Sequence, residues 1–518
     1  APQTVRKDEP RFSMPTRPPM NAPVGSLKLQ LDRFELSGNT VFSTQSLNHL
    51  LSDVVGGRVS FADLLRAANK ITNFYRDAGY LVARAYVPEQ EIQGGVVEIV
   101  ILEGLVGDVD VRNGSDVSPG LVASYTDRVK SGTVVSRKNV ERAMLLLNDL
   151  PGVAAKATFK VGHDEGTTDL DVDIQQTSKY AGSVDLNNFG SEFTGEARIG
   201  ASFYVNQLLG RGDALGLRVL TSEQSDTLYG NLSYSVAAGG NGTRVGLTYS
   251  NLAADVGDEF AILDLESEAD TWGLFITHPF TRSRDSNVVG QFGVERRHVQ
   301  QKFGGPLSES DSEDKVLVVT LGATADHRDN VLAGGLSTVG LAIQTGVDRL
   351  GSLEPSRIGA KGSFVKLGLT YSRLQYLTAS TSAVFRLSGQ FSEDALISSE
   401  QFSLGGPAGV RSFISGEGLA DTGFVASAEL RYRLGLNNRL LRDAQVFGFV
   451  DFGQGHINNS LTIPETNFDV AGAGVGIKPG TIGDYQIDLS YAHSLTGRGD
   501  TEDADDGKVL FQAIKWFD

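Results

Sequence analysis

From Ser178 to the C-terminus the chain alternates, residue by residue, between apolar and polar. In "GFVASAELRYRL", Phe424, Ala426, Ala428, Leu430, Tyr432 and Leu434 fall on one face of an extended strand. Gly423, Ser427, Glu429, Arg431 and Arg433 fall on the other, with Val425 the exception. "YQIDLSYAH", "RVGLTYS" and "ALGLRVL" behave the same way. Period two is the geometry of a strand whose faces meet different surroundings. About 16 such segments follow one another, at roughly 21 residues per strand and connection. Two architectures accommodate this, a set of soluble β-sandwiches or a closed barrel that crosses a membrane. Two details favour the barrel. The apolar faces end in aromatics (Tyr249, Tyr432, Tyr485, Tyr491, Trp516, Phe517), as an interfacial girdle does. Short turns also alternate with long acidic connections such as "PLSESDSEDK" and "RGDTEDADDGK". No stretch approaches 18 consecutive apolar residues, so no transmembrane helix is predicted.

The first third is different. Residues 1–33 hold six of the 15 prolines and read as a linker or tail. From Phe34 the order is β-α-α-β-β. "RFELSGNTVF" is a strand and turn. Ser43 caps a helix carrying Leu47, Leu50, Leu51 and Val54. A second helix from about Ser60 places Leu64, Ala67, Ala68, Ile71, Phe74 and Tyr75 at helical spacing and stops at Gly79. "YLVARAYVP" and "GGVVEIVILEG" are strands. The order then repeats: "VGDVDVRNG", a helix over 119–130, a stronger helix in "SRKNVERAMLLLNDLPG", and strands "VAAKATFKVG" and "TTDLDVDIQQ". Two successive units of one design point to a tandem array. The boundaries expected are 1–33, 34–104, 105–177 and 178–518.

Composition narrows the function. A net charge of −17 argues against general nucleic-acid binding. The absence of cysteine excludes disulfides, thiolate metal sites and a Cys nucleophile. "APQTVRKDEP" lacks the basic start and apolar run of a signal peptide, which fits either a cytosolic chain or numbering that begins after cleavage. There is no P-loop, G-x-S-x-G or H-E-x-x-H, so no catalytic residue, cofactor or metal site is expected. "GHDEG" around His163 reads as a polar turn. The stretch with Glu309, Asp311, Glu313 and Asp314 reads as a solvated loop, because it lacks the spaced glycine of a calcium loop.

Taken together, several stretches resemble the outer-membrane transporters of two-partner secretion systems, of the haemolysin and filamentous-haemagglutinin secretion type. The resemblance covers about residues 30–518. "YRDAGYLVARAYVPEQEI" and "VEIVILEG" resemble a first periplasmic POTRA domain, and "LLLNDLPGV" a second. "LNNFGSEFTGEARIG" resembles the start of the barrel and "HPFTRSRDSN" a mid-barrel turn. The resemblance implies two tandem α+β POTRA-like domains followed by a transmembrane antiparallel β-barrel of about 16 strands. It further implies an outer membrane of a Gram-negative bacterium, with the POTRA domains in the periplasm. The implied function is capture and secretion, without ATP, of a large unfolded exoprotein (adhesin, haemolysin or toxin) that carries an N-terminal secretion domain. Barrel-assembly machinery would insert the transporter into the lipid. An outer-membrane insertase of the same superfamily and a passive porin-like barrel remain alternatives, and an enzyme is not expected. Relatives use an N-terminal plug helix, for which the prolines of 1–33 leave little room.

The family's loop motif, Val-Arg-Gly-Phe/Tyr, reads here Val410-Arg411-Ser412-Phe413 within "SLGGPAGVRSFISGEG". Ser for Gly would cost about a kcal/mol or more if the position needs φ > 0. The Phe-x-Asp-x-Gly strand motif reads Phe449, Asp451, Gly453. Alternation turns Val446, Gly448, Val450 and Phe452 outward and Phe447, Phe449 and Asp451 inward. Arg411 is therefore expected to pair with Asp451 inside the barrel, with Glu429, Arg431 and Arg433 also facing the lumen. An isolated "VRSF" would instead read as a surface turn with a solvated Arg.

Overall fold

The computed structural model describes residues 28–517 except 165, 192–193, 224–225, 257–264, 305–309, 349–355, 358, 361, 437, 439–440, 459–466, 482 and 497–506. The chain divides into two compact units at Thr177/Ser178.

The N-terminal unit carries a β-α-α-β-β core twice, the first copy with an added two-stranded sheet of Lys28–Gln30 and Arg58–Ser60. The first copy is β1 (Lys28–Gln30), β2 (Arg33–Ser37), α1 (Thr44–Leu50), β3 (Arg58–Ser60), α2 (Phe61–Asp77), β4 (Arg84–Tyr86) and β5 (Val96–Leu102). The second is β6 (Leu105–Gly114), α3 (Pro119–Thr126), α4 (Arg137–Asn148), β7 (Val153–Val161) and β8 (Thr167–Gln176). The main sheets have orders β2-β5-β4 and β6-β8-β7, each with a parallel and an antiparallel pair. Local chemistry sets the elements. Ser60 and Asp63 form a reciprocal capping box at the start of α2. Leu64, Ala67, Ala68, Ile71 and Tyr75 bury one face of α2, and Gly79 at φ +96° ends it. Thr72 Oγ1 donates to Ala68 O and accepts from Ala85 N at 2.9 Å, tying α2 to β4.

Three expectations change. The folded part begins before Phe34: β1 pairs with β3, and Leu31 is fully buried in the first core, because the proline-rich composition stops at Pro23. α3 ends at Thr126 rather than 130. "YLVARAYVP" contributes only three strand residues, because Leu81–Ala83 turn through an Ala83 N–H to Tyr80 carbonyl bond.

The C-terminal unit is a closed barrel of 16 antiparallel strands, from Tyr180–Asn187 to Lys508–Phe517; Gly480–Thr481 continues one strand past Pro479. First and last strands pair from Asn187↔Gln512 to Gly182↔Phe517. Large apolar side chains stand exposed on the outside of successive strands, among them Leu217, Leu232, Leu274, Leu321, Leu341, Leu430 and Val475. So continuous an apolar belt is a lipid-facing surface. Tyr432, Tyr491 and Phe517 lie on it. Trp516 does not: it precedes Phe517 in the same strand, and neighbours in a strand face opposite ways. The acidic stretch is also corrected. Asp311, Glu313 and Asp314 belong to the long strand Ser310–Asp329, with Glu313 paired to Lys315 and His298, because the strand pairing continues past the apolar belt. Glu309 and most of "RGDTEDADDGK" lie outside the described residues.

In the N-terminal unit, one buried carboxylate closes the first β-turn. Glu103 accepts from Thr40 N (2.7 Å), Val41 N (2.8 Å), Tyr75 Oη (2.7 Å) and the Thr40 hydroxyl. Burial raises its pKa, but these donors outweigh it and hold the carboxyl below the ordinary 4.5. Its contribution to stability is therefore full above that value and is lost as pH falls through the lowered native one. Glu103→Ala should destabilise this unit by about 3 kcal/mol at neutral pH, since it leaves several buried donors unpaired. Urea-dependent proteolysis of the full chain should show the shift, with the difference from the parent protein shrinking in acid.

Candidate functional site

The 29-residue connection between strands Thr381–Ser392 and Thr422–Arg433 does not stay outside the barrel. It folds back against the inner wall. Leu404, Val410 and Phe413 of this loop are buried with Val425 and Val470 of the wall. That cluster explains the odd residue in the alternation: Val425 is the wall's apolar contribution on an otherwise polar face.

Arg411 sits at the tip. Its Nε and Nη2 donate to the two carboxylate oxygens of Asp451, both at 2.8 Å, and its backbone N–H donates to the same group at 3.2 Å. Nη1 donates to Glu429 at 2.9 Å and Nη2 to Ser427 Oγ at 3.1 Å. The guanidinium carbon lies 3.4 Å from the centre of the Phe449 ring. Both carboxylates are fully buried side chains. Glu429 also accepts from Arg431 at 2.6 Å and lies 3.4 Å from Lys478. Arg433, at the end of its strand, is exposed and stands apart from this cluster.

The strand motif now has a physical account. Phe449, Asp451 and Gly453 are alternate residues on one lumen face. The first stacks on the guanidinium, the second chelates it, and the third makes room. A Cβ on Gly453 would stand 3.2 Å from Val410 Cγ2 and 3.0 Å from Val470 Cγ2. Ser412 is not in the left-handed region, so it carries no backbone penalty, contrary to the conditional expectation above. Its constraint is space: a Cβ on Gly472 would overlap Ser412 Oγ.

The neighbouring strand, Asn467–Lys478, holds residues that sequence reasoning missed. Gly472, Gly474 and Gly476 share its lumen face. Side chains at 474 and 476 would collide with the rings of Phe449 and Phe447, which lie flat over these glycines. The signal was present as a period-two glycine run, "GAGVG". A second anchor had no such signal. Glu400, in the turn Ser398–Glu400, meets Arg297 at 2.6 Å and Lys366 at 2.9 Å. Asp421 closes the loop's base: it pairs with Arg357 at 2.7 Å and accepts from Leu396 N and Asn458 N. The loop is therefore tied by a cation at its tip and by anions nearer its ends, each to wall or loop groups of opposite charge. His163 lies in the turn between β7 and β8. Among the described residues no group of three or more His, Asp or Glu is placed to hold a metal ion.

Comparison with known proteins agrees with this geometry. Residues 166–479 match the family described as haemolysin secretion/activation protein ShlB/FhaC/HecB, and residues 29–104 match the POTRA domain, ShlB-type. The heme/hemopexin transporter protein HuxB of Haemophilus influenzae is 28% identical over 500 residues, 95% of this chain and 88% of that one. The outer membrane transporter CdiB of Dickeya dadantii is 25% identical over 358 residues, 66% of this chain and 61% of that one. The structure of CdiB from Escherichia coli superposes with a TM-score of 0.77 at 20% identity, covering 97% and 93% of the two chains.

Removing one partner from the buried node leaves charge uncompensated, a cost of about 3–5 kcal/mol. Arg411→Ala and Asp451→Ala should each loosen the loop, read as faster proteolysis within 404–418 while the barrel keeps its folded electrophoretic mobility. The double variant should be less than additive. Gly474→Val, which never touches Arg411, should produce the same loosening by displacing Phe449. Tight protection of the loop in a folded Gly474→Val protein would refute that account.

Proposed function

Because this chain belongs to the haemolysin secretion/activation family, we propose a route for its cargo that begins at the edges of the N-terminal sheets and ends through the lumen now occupied by the Arg411 loop. The protein is an outer-membrane transporter of the two-partner secretion type, with a periplasmic POTRA region and a barrel through which a partner exoprotein reaches the surface. Residues 34–104, with the preceding β1 and Leu31, act as one POTRA domain, and 105–177 as a second; 178–518 is the pore.

The exoprotein's secretion domain is captured by β-augmentation. An extended segment adds to an exposed POTRA sheet edge, where main-chain bonds tolerate varied sequence. The chain then passes unfolded through the lumen, and folding outside supplies the driving force without ATP. Val410, Arg411, Ser412 and Phe413 form the removable closure of that path, and Phe449, Asp451, Gly453 and Glu429 its seat. The observation that carries this reading is the ionic tether of the loop: a permanent plug needs no charged latch, whereas a displaceable one benefits from contacts that water can replace. No catalytic step is assigned, and the barrel's own insertion is left to barrel-assembly machinery. The continuous pairing of first and last strands favours passage through the lumen over lateral release of clients into the bilayer.

Cells expressing this protein with its partner exoprotein supply the test. Deleting 34–176 should abolish release while the barrel still inserts. Arg411→Ala should lower release, because a loop that cannot return to its seat on the wall stays across the lumen. Undiminished release by either folded variant would sink the reading.

A further inference from the structure

The protein carries 63 acidic side chains against 46 Lys and Arg, yet one stretch of its lumen wall runs the other way. From the Arg411 node towards the short turns, the strands Thr381–Ser392, Thr422–Arg433 and Asn467–Lys478 present Arg386, Arg431, Arg433 and Lys478 on their lumen faces. Register fixes their places. Arg386 stands opposite Ser427, whose hydroxyl also receives Arg411 Nη2. Arg433 and Lys478 both stand opposite Gln445, one on each side of it. Arg431 lies between these two levels.

Few carboxylates answer them. Asp451 is occupied by Arg411. Glu429 meets Arg411 at 2.9 Å, Arg431 at 2.6 Å and Lys478 at 3.4 Å, and Asp488 meets Lys478 at 3.1 Å. The adjoining turns add Arg442 and Asp443, and Asp484 paired with Lys515, which cancel in charge. Among the described residues neither Arg386 nor Arg433 makes a side-chain hydrogen bond or ion pair, and both are exposed.

The surroundings sharpen this imbalance. Leu430, Tyr432, Val475 and Ile477 alternate with the cations and stand exposed on the apolar belt. Charges backed by hydrocarbon have water on one side only, so their field is directed into the lumen. Like charges on one sheet face also repel one another. A carboxylate arriving from the lumen relieves that repulsion. An extended chain presents side chains on one face at every second residue, about 7 Å apart, the same repeat that separates Arg431 from Arg433.

We propose that the wall from Arg433 and Lys478 to Arg386 is a receiving surface for an acidic, extended stretch of the secreted polypeptide, docked beside the seated loop. The inference rests on the lumen-passage reading above and names the chemistry that the lumen selects. It also brings the arriving carboxylates to Arg431 and Lys478, the two cations that share Glu429 with Arg411, so docking and the loop's tether draw on the same groups.

The chain contains no cysteine, so an engineered one reports without background. Ser382→Cys puts a thiol opposite Arg431 without removing a charge. The probes are short peptides of alternating Ser and Asp, Ser and Asn, or Ser and Lys, each with one cysteine, oxidised onto the full-length transporter in detergent. At low salt the Asp peptide should form the disulfide about five-fold or more faster than the Asn peptide, the gain that two or three exposed ion pairs support. The Lys peptide should be slower still, and salt should erase the differences. Arg431→Gln combined with Arg433→Gln should remove the preference, and Arg433→Glu, at the exposed strand end, should weaken it alone. Arg296→Gln, which stands opposite exposed Trp272 on the outer wall, should leave it intact. Folded electrophoretic mobility of each variant guards against a damaged barrel. Equal rates for all the peptides, or a preference that survives both sets of lumen variants, overturns the proposal and leaves the lumen reading standing. No disulfide with any peptide would instead count against entry of an extended chain into this lumen, and the receiving surface falls with it.

Discussion

The barrel's interior is organised around one buried guanidinium. Arg411 meets Asp451 and Glu429 at once, since a planar fork reaches two oxygens of one carboxylate and still has an N–H for another. Without it Glu429 would keep Arg431 and Lys478, but buried Asp451 would lose its paired cation at a severe cost. The dependence runs outward from there. Asp451 requires a lumen-facing position, Phe449 must lie flat two residues earlier, and flatness requires glycine on the next strand. Small residues at 453 and 472 then admit Val410 and Ser412. A single ion pair thus accounts for residue choices on three strands and a loop.

Charge orders this loop without a continuous apolar core. Its tip is cationic and meets an acidic wall, while Glu400 is anionic and meets Arg297 and Lys366. Apolar contact is limited to small clusters, one around Val410 and Phe413 and one around Leu396 and Ile397. Contacts of this kind are directional and exchangeable with water, unlike a continuous hydrophobic core. In the N-terminal unit the same economy appears at the backbone level. Gln90 pairs with both backbone groups of Glu98, and Asn148 with both of Ala155. Both halves of the protein therefore manage exposure of polar groups rather than eliminate it.

Much of this was legible in the residues. Alternation alone placed Leu430 and Val450 outward and Glu429 and Asp451 inward, because a strand has no other period. Helices α2 and α4 followed from apolar spacing and from Ser60 and Gly79. The errors have physical causes. Residue type alone makes Trp516 a girdle aromatic, although Phe517 beside it occupies the lipid face. An acidic stretch was assigned to a loop from its composition, although strands extended past the membrane keep their pairing with charged side chains on both faces. Glu400 and Asp421 gave no sign, since an isolated acid in a long connection has no periodicity to betray a buried partner.

The sequence by itself determined the architecture: a period of two sustained to the C-terminus demands a sheet with one apolar face, and two helical repeats before it demand separate folded units. Alternation also turned Asp451 to the lumen, whereas the expectation that Arg411 meets it there came from the resemblance of the loop motif to the family's. Only the tertiary structure decided which wall residues complete the seat, that Gly472, Gly474 and Gly476 are spaces rather than hinges, and that Gln90 and Asn148 pair with the backbone of Glu98 and Ala155. Those facts depend on which strands and turns become neighbours across long stretches of chain, and close approach in space leaves no mark on local spacing.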